Sequence, residues 1–402
     1  MKKLFLSTIF ALFLGVSTTA TPALYQPSNV DVLHFQTMWL KEELNLNKNQ
    51  NLVISPLSLY QALALSGHGL NGGDLYPFLK YNDGRGVSLA PQPERQGPLL
   101  PADKAAFRIQ LGENMLSDGQ VKIANSIWGN QFLPTYLADT KTYLKADAMP
   151  LPENTSVINK WIEEKTAGKI TNLLVERQTN PLDLFLVNAV YFKADWVNKF
   201  DEDNTKKMSF LTPNGPVDVD MMFDKKQVDY YEDEKVQAIR LPYQSDEEDV
   251  LSKHNMTFIL PKEGVDFNEF LFSLKTQDFY LKFIEKMPVH IYLPKFKLSY
   301  TNDKMSTLLK SMGLEFLFNK GVFKGVENGA SLKEVIHKSI ISINEQGTEA
   351  AAATAMSWIG SSWRDYSLER KEPYFIFKAD RPFLFMVDEG LFVGVVNDPT
   401  KE

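Results

Sequence analysis

Apolar positions change their spacing about halfway along the chain. Up to residue 174 they recur mainly at intervals of three and four. Residues 30–45 (Val-Asp-Val-Leu-His-Phe-Gln-Thr-Met-Trp-Leu-Lys-Glu-Glu-Leu-Asn) carry helical spacing, and Ser55-Pro56 opens a second helical pattern through Leu65. Residues 158–174 predict a third helix, with Gly168 near its end. Two strand-like runs, 51–54 and 121–128, interrupt these helices, and the Gly- and Pro-rich stretch 81–104 reads as a long loop. From residue 184 the pattern becomes that of strands. The nearly continuous apolar run 184–192 marks a strand covered on both faces, because a strand with one wet face would alternate. Further strands are predicted at 257–260, 290–296, 335–343, 374–377, 383–387 and 391–396, with one helix at 305–312 ended by Gly313. Helices first and strands later predict an α+β protein.

The amino terminus has a different pattern. Lys2 and Lys3 precede an apolar stretch, 4–16, broken only by Ser7 and Thr8. Thr18-Thr19-Ala20 offers small residues for cleavage, and Thr21-Pro22-Ala23 offers a second site. The stretch is shorter than the roughly 20 residues that span a bilayer. Residues 1–20 are therefore expected to be a signal peptide, cut as late as 23, and the mature chain to be secreted or periplasmic and off the membrane. Removing 20 of 402 residues leaves 382, more than one usual domain, yet no linker or internal repeat divides them.

Composition narrows the function classes. The formal charge is −7, and −9 once Lys2 and Lys3 are gone, so no basic excess exists to displace counterions from a nucleic acid. Cysteine is absent, which excludes disulfides, a thiol nucleophile and a thiolate metal site. None of the five histidines has metal-binding helical spacing, and neither His-Glu-x-x-His nor Gly-x-Ser-x-Gly occurs. The glycines of 67–73 lack the Lys-Ser/Thr that a phosphate cradle needs. Asp246 to Asp249 reads as a solvated loop. No enzyme motif remains.

The most informative stretch is Glu345-Gln-Gly-Thr-Glu-Ala-Ala-Ala-Ala-Thr354, which is followed by no charge until Arg364. Alanine favours helix, so one reading is a surface helix with Thr348 as its N-cap. The other is a loop able to become a strand inside an existing sheet, where bulky or charged side chains would block its way. The segment alone leaves both open.

Seven segments in order resemble the serpin family: Asn51-Leu-Val-Ile-Ser-Pro-Leu-Ser-Leu59; Val121-Lys-Ile-Ala-Asn-Ser-Ile-Trp128; Asn159-Lys-Trp-Ile-Glu-Glu-Lys-Thr-Ala-Gly-Lys-Ile170; Leu186-Val-Asn-Ala-Val-Tyr-Phe-Lys-Ala-Asp-Trp196 with 200–205; Leu293-Pro-Lys-Phe-Lys-Leu298; Val335-Ile-His-Lys338; and Asp380-Arg-Pro-Phe-Leu-Phe385. They extend over nearly all the mature chain. The resemblance implies a single domain over 21–402, with three β-sheets, about nine helices and an exposed reactive-centre loop at about 345–373. It implies an inhibitor rather than an enzyme. A target protease, serine type or cysteine type, attacks the loop, and the cut loop inserts as a new strand of the main sheet. No cofactor or metal is implied, and the expected state is a monomer.

In the family register Thr348, Ala350, Ala352 and Thr354 face the core after insertion, while Glu349, Ala351 and Ala353 face away. Glu345 starts the hinge and Gly347 supplies its backbone freedom. Ser55, Ser58, Asn188 and His337 match a polar cluster called the shutter, and Trp196 matches the tryptophan of the breach, where insertion begins. The family's cleaved bond follows the seventeenth residue from the hinge glutamate, which is Ser361-Ser362 here. Arg364-Asp365 is the alternative, and it would suit a pocket holding an acid. Non-inhibitory relatives, which act as binding or carrier proteins, often have bulky or charged hinges; this hinge matches the inhibitory type.

Overall fold

The computed structural model describes residues 29–69, 120–143, 146–245, 252–302, 304–320, 322–323, 325–326, 330–348, 374–388 and 390–402. The first two helical patterns form helix α1 (Asn29–Leu46) and helix α2 (Pro56–Gly69), separated by strand β1 (Leu52–Ile54). Next come β2 (Val121–Gly129), a helix at Pro134–Tyr143, β3 (Asp147–Pro150) and a helix at Ser156–Lys165. The strands then run β4 (Asp183–Phe192), β5 (Ala194–Asp195), β6 (Lys206–Thr212), β7 (Gly215–Glu232), β8 (Val236–Gln244) and β9 (Ser252–Pro261). After the helix Phe267–Ser273 follow β10 (Ile284–Pro294), β11 (Phe296–Thr301) and the helix Met305–Leu309. The chain closes with β12 (Ser331–Ile343), β13 (Gly347–Thr348), β14 (Phe375–Lys378), β15 (Phe383–Val387) and β16 (Phe392–Val396).

Three of these elements differ from the expectation. The helix expected over 158–174 stops at Lys165, because Thr166 Oγ1 donates to Ile162 O (2.8 Å) and accepts from the Ile170 amide (3.1 Å). Ala167 and Gly168 then take positive φ (53° and 77°), and the chain folds back until Asn159 exchanges two hydrogen bonds with Leu174, each 2.8 Å. The strand expected over 290–296 is two strands in different sheets, divided at Lys295. Strands β6 to β8 add a large antiparallel region that the apolar pattern did not announce.

The central sheet has the order β3-β2-β4-β12-β13-β5, with β11 also paired to β12. A second network runs β1-β16-β15-β9-β8-β7-β10-β14, with β6 on β7. β7 is 18 residues long and serves two sheets. Its residues 215–230 pair with β6 and β10, while 229–232 pair with β8. Counted this way, the strands make the three sheets the resemblance implied. Every residue of β4 after Asp183 is buried, as expected for a strand with α2 behind it. Leu59, Tyr60 and Leu63 on that helix are fully buried.

Candidate functional site

The middle of the central sheet is a parallel seam. β4 and β12 pair from Asp183↔Ser331 to Tyr191↔Ile340, with one irregularity between Leu332 and Glu334. Above the seam the strands are held apart. Ile343 pairs with Thr348 of β13, and Thr348 and Gly347 pair on their other side with Ala194 and Asp195 of β5. Two residues of the alanine-rich segment's leading end are thus already a strand between two others. Thr348 lies inside an antiparallel sheet. Its side chain is fully buried, and its Oγ1 lies 2.6 Å from the Tyr243 hydroxyl.

Each hinge residue has an identifiable restraint. Gly347 has φ 152°, and a β-carbon there would fall on the Ala194 carbonyl oxygen, so no other residue fits without moving β5. The Glu345 carbonyl accepts from the Phe200 amide (2.9 Å), and the Gln346 carbonyl accepts from the Trp196 amide (2.8 Å). Glu345 itself is buried, with Thr205 Oγ1 at 2.7 Å and Lys295 Nζ at 2.9 Å from its two oxygens. Burial acts to raise its pKa, but the Lys295 and Thr205 hydrogen bonds outweigh it and hold the carboxyl below the ordinary range. Trp196 is 1% exposed. Its Nε1 donates to Asn344 O (3.1 Å), and its ring stacks on Tyr243 at 4.3 Å. Burial raises the Tyr243 pKa, partly offset by the bond to Thr348, so the phenol stays neutral.

Lower on the seam, Asn188 and His337 are register partners across β4 and β12, and Asn125 opposes Asn188 from β2. Asn188 Nδ2 donates to Ser58 Oγ and to Asn125 Oδ1 (2.5 Å), while its Oδ1 lies 2.5 Å from His337 Nδ1. The carbonyl must accept there, so His337 carries its proton on Nδ1. Nε2 is then the acceptor facing the Ser55 amide at 3.4 Å. Ser55 Oγ donates to Leu391 O (2.5 Å) and Ser339 Oγ to Val53 O (2.6 Å). Trp39 closes the cluster edge-on, 4.9 Å from the imidazole. Ser55, Ser58, Asn188, His337 and Ser339 have no exposed surface. Burial, and secondarily Lys338, push the His337 pKa down to about 3. The seam is therefore joined by side-chain hydrogen bonds that can be exchanged for others, in a medium where an unpaired partner is costly.

The structure thus brings Ser55, Ser58, Asn188 and His337 into one cluster and Glu345, Gly347, Thr348 and Trp196 into another. Glu349, Ala350, Ala351, Ala352, Ala353, Thr354, both candidate reactive bonds and residues 1–23 lie outside the described residues. Sequence reading missed Asn125 and Ser339 in the lower cluster and Thr205, Tyr243 and Lys295 in the upper one. Asn125 and Ser339 did carry a signal: each is a polar residue inside an apolar strand run. Among the described residues no group of three or more His, Asp or Glu is placed to hold a metal.

A family profile described as Serpin (serine protease inhibitor) matches residues 33–399. The chain belongs to the serpin family. An uncharacterised serpin-like protein of Thermococcus kodakarensis is 32% identical over 394 residues, covering 92% of this chain and 85% of that protein. The leukocyte elastase inhibitor of Xenopus laevis is 32% identical over 397 residues, 91% of this serpin and 98% of the relative. Among solved structures, an Arabidopsis serpin in its native stressed conformation superposes with a TM-score of 0.72 at 25% identity, covering 93% of this serpin and 98% of that chain.

Proposed function

We propose that this serpin is a secreted or periplasmic inhibitor that traps a target protease as an acyl-enzyme. The protease cuts after Ser361, with Arg364-Asp365 as the alternative bond. The freed arm then inserts down the β4–β12 seam. One observation carries the reading: Gly347 and Thr348 already sit as a strand at the mouth of that seam, with the small residues Ala350 to Thr354 next in line. A strand between two others buries alternate side chains, and this segment has only small ones to bury on the inward side. Insertion carries the acylated protease away from the cut end, and distortion of its oxyanion hole stalls deacylation. The native fold is then held by a kinetic barrier rather than by its global minimum. A serine at the cleaved bond suits a protease with a small or permissive specificity pocket, of the serine or cysteine class.

The test is incubation with a panel of serine and cysteine proteases. SDS-resistant complexes and mass spectrometry of the released peptide identify target and bond. Cutting the loop should raise the melting temperature sharply, because the inserted strand replaces the one parallel β4–β12 ladder with two antiparallel ones; a cut form no more heat-resistant than the intact one overturns the proposal. That result would favour the carrier reading. A cavity of about 480 Å³ lined by Tyr231, Asp233, Lys235, Val236, Ile259 and Phe270 is then one place to look for a ligand.

A further inference from the structure

The segment 194–205 holds the hinge at successive points. β5 pairs with Gly347 and Thr348, the Trp196 amide donates to Gln346 O, the Phe200 amide to Glu345 O, and the Trp196 indole to Asn344 O. Thr205 and Glu202 add side-chain bonds to Glu345 and Gln346. Three consecutive hinge carbonyls, 344 to 346, therefore depend on where this segment lies. The segment has little regular structure of its own. β5 is two residues long, and 197–201 lie in no strand or helix. A stretch of this kind takes its position from contacts outside itself.

Lys226 supplies such a contact from a different sheet. It pairs in register with Val289, which is buried, so its side chain leaves the inner face of β7. Only 7% of that side chain is exposed. Its Nζ donates to Asn198 O (2.9 Å), Lys199 O (2.8 Å) and Asp224 Oδ2 (2.6 Å), and it lies 4.4 Å from the centroid of the Phe200 ring. All three ammonium hydrogens thus have acceptors, two of them consecutive carbonyls of the 198–200 turn. Burial pulls the Lys226 pKa down, and Asp224 opposes that shift. Phe200, whose ring faces the ammonium, is also the residue whose amide holds the Glu345 carbonyl. One buried cation therefore joins β7 to the turn that carries the hinge.

We propose that Lys226 is a positioning residue for loop insertion: it pins the 198–200 turn, and so keeps Gly347 and Thr348 paired in the sheet before any protease cuts. The inference rests on the inhibitory reading. Residues 344–348 are the pivot of the arm, so the contacts that hold them serve the intact sheet and the inserted one alike. They stabilise the starting point of insertion. Without the pin those first pairs must form after cleavage, and the delay favours deacylation.

The test compares Lys226→Met, which keeps the length of the side chain without its charge or donors, with Lys226→Arg, which keeps both. Hydrogen exchange is read on peptides spanning 344–348, with peptides of β16 reporting global stability. Expected is about tenfold faster exchange at 344–348 in Lys226→Met with β16 unchanged, and most of the protection restored in Lys226→Arg. Trp196 emission should shift to the red in Lys226→Met, and the shift should vanish when Trp196 is also replaced by phenylalanine. Against a protease the wild type traps, Lys226→Met should be cut as fast as the wild type, with the stoichiometry of inhibition raised roughly twofold or more. Unchanged exchange at the hinge overturns the proposal. So does an arginine variant no better than the methionine one, which would leave Lys226 a packing role, and so does faster exchange with wild-type stoichiometry. If the wild type traps no protease, the inhibitory reading fails, while exchange at 344–348 still decides whether Lys226 pins the hinge. Should Lys226→Met fail to fold, Lys226→Gln, which keeps a donor and loses the charge, is read in the same way.

Discussion

Replacing Thr348 by arginine tests the hinge at its first inserted residue. Thr348 has no exposed surface, and its Oγ1 sits 2.6 Å from the Tyr243 hydroxyl, flanked by Ile343 and Ala194. Among the described residues the hinge carboxylate, Glu345, already binds Lys295 and Thr205. Burying an uncompensated ion costs several kcal/mol. Leaving the Tyr243 hydroxyl short of a partner adds about 1 kcal/mol, the low end of the range, because it still donates to Met256 Sδ at 3.1 Å. Because Thr348 is already inserted in the native sheet, the arginine is expected to leave β13 in the intact variant, so that the cost of about 4 kcal/mol falls on insertion and slows it about 1,000-fold, at 1.36 kcal/mol per decade. Trapping is a race between insertion and deacylation, so a slowing of this size converts inhibitor into substrate. The assay is the stoichiometry of inhibition with the target protease, alongside gel analysis of cleaved against complexed product. Thr348→Val is the control: it loses only the hydroxyl, about 1 kcal/mol, and should still trap most of the protease. Stable covalent complexes of the arginine variant at wild-type stoichiometry would refute the register and the role given to this residue.

Two further outcomes follow from the same geometry. Glu345→Lys should destabilise the native state by about 2–3 kcal/mol, less than a fully buried pair because Lys295 is 40% exposed, and the exchange Glu345→Lys/Lys295→Glu should recover part of the loss in denaturant melts. His337 sets an acid limit: its pKa of about 3 lies below the unfolded value of 6.5, so it contributes no penalty above pH 6.5 and a growing one as pH falls toward 3. From pH 8 to pH 5 that amounts to about 2 kcal/mol of stability lost, which His337→Gln should largely remove; equal acid sensitivity in both proteins would show that the imidazole is not responsible.

The parts of the structure that could be read from the chain are those where burial is one-sided or total. The run 184–192 announced a strand covered on both faces, and β4 is that strand. β7 was hidden because it serves two sheets and its edges carry Asp218, Asp220, Asp224, Lys225 and Lys226, so no single period of two survives along it. The division at Lys295 was hidden for a related reason. Buried apolar residues continue through both strands (Ile291, Leu293, Phe296 and Leu298), and only the change of partner, from β7 to β12, separates them. In the lower cluster Asn188 and His337 stood out as polar residues in apolar runs, but their mutual register depends on a pairing 149 residues apart in sequence. Lys295 and Tyr243 could not be read locally at all, because each acquires its role from one contact with a hinge more than 45 residues downstream.

Two kinds of bond hold the central sheet closed, and they resist insertion differently. The β4–β12 ladder is parallel, the weaker pairing per residue, and each residue of an inserting arm would exchange one such neighbour for two antiparallel ones, as Thr348 already has in Ile343 and Ala194. On the proposed reading the ladder therefore opens downhill, one residue at a time. The side-chain bridge from Asn125 through Asn188 to His337 does not. It breaks as a unit, because Asn188 Oδ1 and Nδ2 are both engaged and His337 uses both nitrogens. On that reading, an arm that has passed the hinge meets its main barrier there, six residues below the mouth (Ile343 to His337, 343 − 337). On the proposed reading, the native state is metastable for a local reason. The gain from insertion is spread along the seam, while the resistance is concentrated in one buried polar cluster that must come apart before most of the gain is collected.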